Sequence, residues 1–272
     1  MSDIGKVMRI SQITNPKSGH LVIVAMDHCP AIGPVPGLID PIETIRRVSE
    51  GHPDSIFMHK GNIKLTYNIL AKKRIPFLLS ISTATTMGPY PDRVLLVDTV
   101  ENAVEMGASG VSMRIFVGGQ YENEMIKALG KVSAKCDKYG MVLMAMMYPK
   151  GFENDYDPKY VKHASRLGAE LGADFVKTYY TGDPVSFREV TSSCPVPILM
   201  SGGPKAENAL DFLKQVKGAM DGGAAGIAAG RNVWQHPNPA YMLEAVNKVV
   251  HLSMSAEQAA KELNEKMNKP SE

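Results

Sequence analysis

The chain has 272 residues, 44% of them hydrophobic and 21% charged, with a formal net charge of +2. That is ordinary globular composition with enough length to bury a sizeable core. So small a net charge gives no general attraction to nucleic acid or to an anionic membrane, and the longest apolar runs, such as Met141–Tyr148, have strand length and cannot span a bilayer.

The N-terminal stretch Met1–Ser11 carries Asp3, Lys6 and Arg9 and has no apolar h-region, so it does not read as a secretory signal. Beyond it, strand-like runs occur at Leu21–Met26, Ser55–His59, Phe77–Ile81, Gly110–Phe116, Val142–Tyr148, Asp174–Tyr180, Val196–Met200 and Ala225–Ala229. Helical patterns lie between them, clearest at Asp98–Met106, Glu122–Tyr139, Pro158–Leu171, Ala206–Asp221 and Pro239–His251. Several of the strand runs are almost wholly apolar, as expected where both faces are covered in a parallel sheet. A short repeat supports the alternation: Gly107-Ala-Ser-Gly-Val, Gly172-Ala-Asp-Phe-Val and Gly223-Ala-Ala-Gly-Ile each read as a helix-ending glycine followed by entry into a strand. Eight such units predict an α/β fold, a single (β/α)8 TIM barrel over residues 1–272. A doubly wound sheet is the alternative, but it usually has a glycine-rich first turn, whereas the first turn here is Met26-Asp-His-Cys-Pro. From about Ser253 the chain is polar and helix-forming, which predicts a C-terminal helix packed outside the barrel or in an oligomer contact. Cys29, Cys136 and Cys194 are widely spaced and odd in number, which points to a reducing compartment, the cytoplasm, and to no disulfide framework.

One strand is unusual. Asp174–Tyr180 follows the helix stop at Gly172 and places a lone lysine, Lys177, among Phe175, Val176 and two tyrosines. A buried ammonium without a partner is expensive and tends to lose its proton. The resulting amine is a nucleophile that forms Schiff bases with carbonyls. A lysine snorkelling past the strand end, or a structural ion pair, would give the same local sequence.

The active site of such a barrel lies at the C-terminal ends of its strands. Those ends carry Asp27 and His28, His59 and Lys60, Ser82 and Thr83, Arg114, Tyr148, Lys177, Ser201, and Gly230 with Arg231. The loops Ser201-Gly-Gly-Pro-Lys205 and Gly230-Arg-Asn232 follow strands seven and eight, where phosphate is commonly bound in these barrels. Their glycines let the backbone approach an anion, and Arg231 can add charge and paired donors. Glycines that merely make tight turns are the competing explanation. His28 and His59 lack metal-ligand spacing, so hydrogen-bonded roles are expected for both. Met144, Met146 and Met147 read as core filler, and Cys29 as incidental.

Taken in order, Met26-Asp-His, Met146-Met-Tyr-Pro-Lys-Gly151, Val176-Lys-Thr, Tyr180-Thr-Gly-Asp, Ser201-Gly-Gly-Pro-Lys and Gly230-Arg-Asn-Val-Trp-Gln235 span most of the chain. The set resembles the archaeal-type class I aldolases. That resemblance implies Lys177 as the Schiff-base lysine and Asp27 and Tyr148 as proton-transfer groups. It also implies Gly202, Gly203, Gly230 and Arg231 as holders of a substrate phosphate. Ser201, His59 and Lys60 complete the expected phosphate- and substrate-binding set. The family includes fructose-1,6-bisphosphate aldolase, 2-amino-3,7-dideoxy-D-threo-hept-6-ulosonate synthase and a thiolase acting on phosphorylated autoinducer-2. Met26-Asp-His, His59-Lys-Gly61 and Ala145-Met-Met-Tyr-Pro look like the synthase. Leu199-Met-Ser-Gly-Gly-Pro-Lys looks as much like the bisphosphate aldolase, and Lys177-Thr-Tyr-Tyr is similar to the thiolase. The expectation is a Schiff-base aldolase or transaldolase acting on a phosphorylated ketose and an aldehyde. It would need no organic cofactor or metal, would have no nucleic-acid or membrane partner, and would form a homo-oligomer. The thiolase reaction, a metal-dependent or flavin barrel, and a non-catalytic sugar-phosphate-binding barrel are the alternatives.

Overall fold

The computed structural model describes residues 2–269; the ends of the expected 1–272 domain, Met1 and residues 270–272, lie outside the described residues. Eight parallel strands close into a barrel. They are β1 (Leu21–Ala25), β2 (Ser55–Met58), β3 (Phe77–Ser80), β4 (Gly110–Val117), β5 (Val142–Pro149), β6 (Phe175–Thr178), β7 (Ile198–Ser201) and β8 (Gly226–Ala229). Each pairs with its neighbours in sequence, and β8 closes on β1 with Leu21 opposite Gly226. Helices Pro41–Ser49, Lys60–Lys73, Val100–Glu105, Glu122–Tyr139, Pro158–Glu170, Pro184–Ser192, Ala209–Asp221 and Pro239–Leu252 follow the strands in turn. Their starts are written locally. Asp40, Thr99, Asp157, Asp183, Asn208 and Asn238 each accept a hydrogen bond from a first-turn N–H, and Pro41, Pro158, Pro184 and Pro239 occupy positions whose N–H would be unpaired anyway.

Alternation along the strands splits the core in two. Val22, Val24, Ile56, Val176 and Ile227 face the helices, while Ile23, Phe57, Leu78, Met144, Phe175 and Leu199 fill the barrel's inside. Ile13, fully buried, joins this inner cluster at the strands' N-terminal ends. Ile13 ends a helix, Ser2–Ile13, that is absent from the sequence-based elements. Polar contacts dock this helix: Lys6 pairs with Asp174 at 3.0 Å, and Arg9 donates to the Gly140 carbonyl at 2.9 Å. A short antiparallel ladder, Ser82–Thr83 with Leu95–Leu96, extends the loop after β3. At the other end of the chain, helix Ala256–Met267 packs on helices Ala209–Asp221 and Pro239–Leu252, outside the barrel. No helix among the described residues is long and apolar enough to cross a membrane.

The glycine repeat has a double origin. Gly107, Gly172 and Gly223 take left-handed φ values of 74°, 92° and 89°, which ends each helix. Gly110 and Gly226, three residues on, instead face the backbone of the next strand. A β-carbon at Gly226 would lie 2.0 Å from the Leu21 carbonyl oxygen, whereas one at Gly107 meets nothing within 4 Å. Gly226→Ala should therefore destabilise by more than the about 1–2 kcal/mol that left-handed strain alone costs at Gly107→Ala. Urea unfolding measures both, and equal losses would contradict a closure limited by backbone contact.

Candidate active site

At the C-terminal mouth of the barrel the inner face turns polar around a cavity of about 280 Å³. Lys177 sits on β6 and is 5% exposed. Its Nζ lies over the Phe57 ring, 4.6 Å from the centroid, a cation–π geometry supplied by the inward residue of β2. Among the described residues no carboxylate lies within 4.0 Å of that nitrogen. The nearby carboxylate, Asp27, follows β1, is 2% exposed, and accepts from an Arg114 guanidinium nitrogen at 3.1 Å. Burial pushes the Asp27 carboxyl up. The charge of Arg114, with smaller contributions from His28, Lys177 and His59, outweighs burial and leaves it below its ordinary value. Asp27 is therefore an ionised carboxylate at neutral pH.

His28 Nδ1 stands 3.5 Å from the other Asp27 oxygen. Burial lowers the His28 pKa to about 4; Asp27 opposes that, and Lys177, Arg114 and Arg231 add to it. Its ring meets Trp234 edge-on at 5.4 Å, and Trp234 Nε1 donates to the Ala25 carbonyl at 2.9 Å. On the opposite wall the Tyr148 hydroxyl lies 3.4 Å from Ser201 Oγ. Its ring stacks on Tyr179 at 4.7 Å, which stacks on Tyr156 at 4.5 Å. Burial raises the pKa of Tyr179 and of Tyr156. Both stay protonated at neutral pH.

The two glycine loops form one wall of the same cavity. A β-carbon on Gly202 would meet the Ala229 side chain at 2.7 Å, and one on Gly230 would meet the Ala25 carbonyl at 2.6 Å, so backbone takes the place of side chain there. Asn232 ties the loops together: its amide donates to the Gly202 and Pro204 carbonyls at 2.8 and 2.9 Å and accepts from the Ala206 N–H at 2.7 Å. Arg231 donates to the Gly203 carbonyl at 2.9 Å, and its buried Nε has no partner among the described residues. In the short helix Arg231–Trp234 the Val233 and Trp234 N–H groups donate to the Gly230 carbonyl at 2.8 and 3.1 Å, which leaves those of Arg231 and Asn232 without an intrahelical acceptor. Backbone donors and one guanidinium around a compact opening suit an anion such as phosphate.

The structure thus gathers Asp27, Tyr148, Lys177, Ser201, Gly202, Gly203, Gly230 and Arg231 around one cavity. It does not bring His59 and Lys60 to it. β2 ends at Met58, and Lys60 begins a helix that turns it outward to Asp98, 3.2 Å away. His59 stays on the inner side but outside the cavity lining, in the field of Asp27 and Arg114. Sequence reading missed the Tyr179–Tyr156 stack, the Phe57 platform and the Asn232 clasp. Of these only Phe57, two residues before a strand-end histidine, had a signal in the alternation. Among the described residues no group of three or more His, Cys, Asp or Glu is placed to hold a metal ion. Burial raises the Cys29 pKa, and its Sγ contacts the Leu38 carbonyl at 3.9 Å.

Comparison with known proteins was consistent across three kinds of relative. The model of the DeoC/LacD family aldolases matches residues 21–236. A 2-amino-3,7-dideoxy-D-threo-hept-6-ulosonate synthase of Archaeoglobus fulgidus is 38% identical over 261 residues, covering 94% of each chain. A class 1 fructose-bisphosphate aldolase of Thermoproteus tenax is 34% identical over 243 residues, covering 86% of this chain and 91% of its own. Among solved structures, an archaeal fructose-1,6-bisphosphate aldolase with its catalytic lysine bound to the substrate carbinolamine superposes with a TM-score of 0.80. It is 31% identical, over 90% of this chain and 99% of that one.

The His28 shift has a measurable consequence. Its folded pKa of about 4 lies below the unfolded value near 6.5, so the unfolded chain binds more protons between those limits. The stability that neutral His28 contributes is complete above about pH 6.5 and is lost as pH falls toward 4. Chemical denaturation of His28→Gln should show a smaller fall in stability between pH 7 and pH 5 than wild type. An unchanged slope would place the titration elsewhere.

Proposed function

The chain belongs to the DeoC/LacD aldolase family and is a carbon–carbon lyase or transferase of the class I, Schiff-base type; we propose that Lys177 carries the Schiff base and that the donor is a phosphorylated ketose. The observation behind this reading is a buried lysine with no carboxylate within 4.0 Å among the described residues, in one small cavity with an aspartate kept ionised by Arg114.

The free amine of Lys177 attacks the ketone carbon. Loss of water from the carbinolamine leaves an iminium that accepts the electron pair of the adjacent carbon–carbon bond. Tyr148, beside Ser201, moves protons in that dehydration. Asp27, an ionised carboxylate lining the same cavity as Lys177, takes the proton of the hydroxyl on the bond being broken. Gly202, Gly203, Gly230 and Arg231 hold the phosphate, with Asn232 fixing the spacing of their loops. Similarity to the synthase, together with Ala145-Met-Met-Tyr148 on β5, favours its transaldolase-type reaction over bisphosphate cleavage as the first to assay. Incubating phosphorylated ketoses with and without aspartate semialdehyde, with products identified by mass, separates the two. We further propose that the enzyme works as a single barrel domain in the cytoplasm and as a homo-oligomer.

Borohydride added with a cognate ketose phosphate should add mass to the peptide containing Lys177, and Lys177→Ala should abolish the label. Asp27→Asn should still form the adduct but fail to cleave it, so the trapped species carries the mass of intact substrate while turnover falls by about 10²–10⁴. Tyr148→Phe should slow adduct formation and leave KM nearly unchanged. Label on another residue, or wild-type turnover in a folded Asp27→Asn, removes the assignment.

Arg231 has two jobs to separate, since it also binds the Gly203 carbonyl. Arg231→Ala should raise KM for phosphorylated substrates by the loss of a charge-assisted contact, about 1.5–3 kcal/mol. An equal rise for an unphosphorylated analogue would mean that Arg231 only braces the loop.

A further inference from the structure

A row of polar groups runs around the inside of the barrel behind Asp27. The ladders pair Ala25 with Phe57, Phe57 with Leu78, and Ser80 with Ser112. Two residues beyond the first two pairs, the same registers set Asp27 beside His59 and His59 beside Ser80. Asp27, His59, Ser80 and Ser112 therefore follow one another across β1, β2, β3 and β4 on the inward face, about 5 Å from strand to strand. Ser80 is 1% exposed and Ser112 0%. Both hydroxyl oxygens, and His59 Nε2, are buried without a partner among the described residues. Adjoining serines differ: Ser55 Oγ donates to the Pro76 carbonyl at 3.1 Å, and Ser82 Oγ accepts from the Arg114 N–H at 2.8 Å. The backbones of Ser80 and Asp27 act on the His59 ring from either side, each raising its pKa against the burial that lowers it.

Buried polar side chains without partners are rare, and each carries the cost of lost hydration. Three of them on adjacent strands supply the two to four polar contacts that an internal water needs. We infer that His59 Nε2, Ser80 Oγ and Ser112 Oγ share ordered water behind Asp27, and that His59 is a positioning residue that solvates and orients the Asp27 carboxylate. Arg114, His28, Lys177 and His59 are the charged or titratable groups whose fields act on Asp27. Arg114 accounts for one of its oxygens and faces it from β4; the water row approaches from β2 and β3. Hydrogen bonds to the ionised form lower a carboxyl pKa, so losing the row should raise it.

The kinetic part rests on the role proposed above for Asp27, whereas the water site does not. A high-resolution crystal structure should show density within about 3.2 Å of at least two of the three atoms. Ser80→Ala and Ser112→Ala should each lower Tm. His59→Leu should lower kcat about 10- to 100-fold, the worth of a hydrogen bond to a charged group, with KM unchanged. Its acid limb should move to higher pH, and His59→Gln, which keeps a polar atom near the Nε2 position, should restore both. A dry row would overturn the proposal: the serine variants would then gain Tm, because each removes a hydroxyl buried without a partner. Wild-type kcat and acid limb in His59→Leu would overturn the positioning role. Should His59→Leu fail to fold, the density and the serine variants still decide. Failure of Lys177 labelling in wild type would count against the Schiff-base assignment and leave the water site standing.

Discussion

Arg114 holds Asp27 inside the barrel mouth, and the other features of the site depend on that pairing. Asp27 lines the same cavity as Lys177 and feels its charge, yet it is paired with a guanidinium 3.1 Å away. The lysine is left against an aromatic face instead of in a salt bridge. A direct lysine–aspartate pair would hold the ammonium charged and make the amine a poor nucleophile. With Arg114 paired to it, Asp27 is held ionised as a base, while among the described residues no carboxylate lies within 4.0 Å of Lys177 Nζ. The arrangement is costly: removing one member of a buried pair leaves the other uncompensated, at about 3–5 kcal/mol. Packing elsewhere in the barrel offsets such costs. The floor is almost wholly apolar, from Ile13 and Leu21 to Phe175 and Leu199, while polar groups are concentrated toward the upper layers.

Much of the fold was legible because its rules are local. Apolar runs placed all eight strands, and helix Glu122–Tyr139 was read with its observed bounds. Capping residues and first-turn prolines explain why helix starts were readable at Pro158 and Pro239. Helix Ser2–Ile13 was not readable, because its stability comes from docking on the barrel: Ile13 under the floor, Lys6 on Asp174 and Arg9 on Gly140. Strand ends show how little separates success from failure. His59 and Lys60 were both placed at the rim, but β2 stops one residue early, so Lys60 swings out to Asp98 and His59 stays outside the cavity lining.

Partnership within the site was less legible than position. Asp27 and Arg114 are 87 residues apart, and nothing in either local sequence says that they touch. The tyrosine stack joins Tyr148, Tyr156 and Tyr179 from one strand, a loop and the next strand's end. Asn232 reads as an ordinary loop residue until its three bonds to the Gly202–Ala206 turn are seen. Each of these depends on the closed barrel, whose inward residues meet only after β8 returns to β1.

The central claim is that Lys177 is the covalent centre and that Asp27 and the glycine loops are arranged around it. A crystal structure of the enzyme frozen after soaking with a cognate ketose phosphate tests this directly. The account predicts continuous density from Lys177 Nζ to the former ketone carbon. It also predicts an Asp27 oxygen within about 3.2 Å of the substrate hydroxyl next to the scissile bond, and the phosphate between Gly202–Gly203 and Gly230–Arg231. Substrate bound without a covalent link, with Lys177 still lying on Phe57 and Asp27 turned away from the hydroxyl, would contradict it.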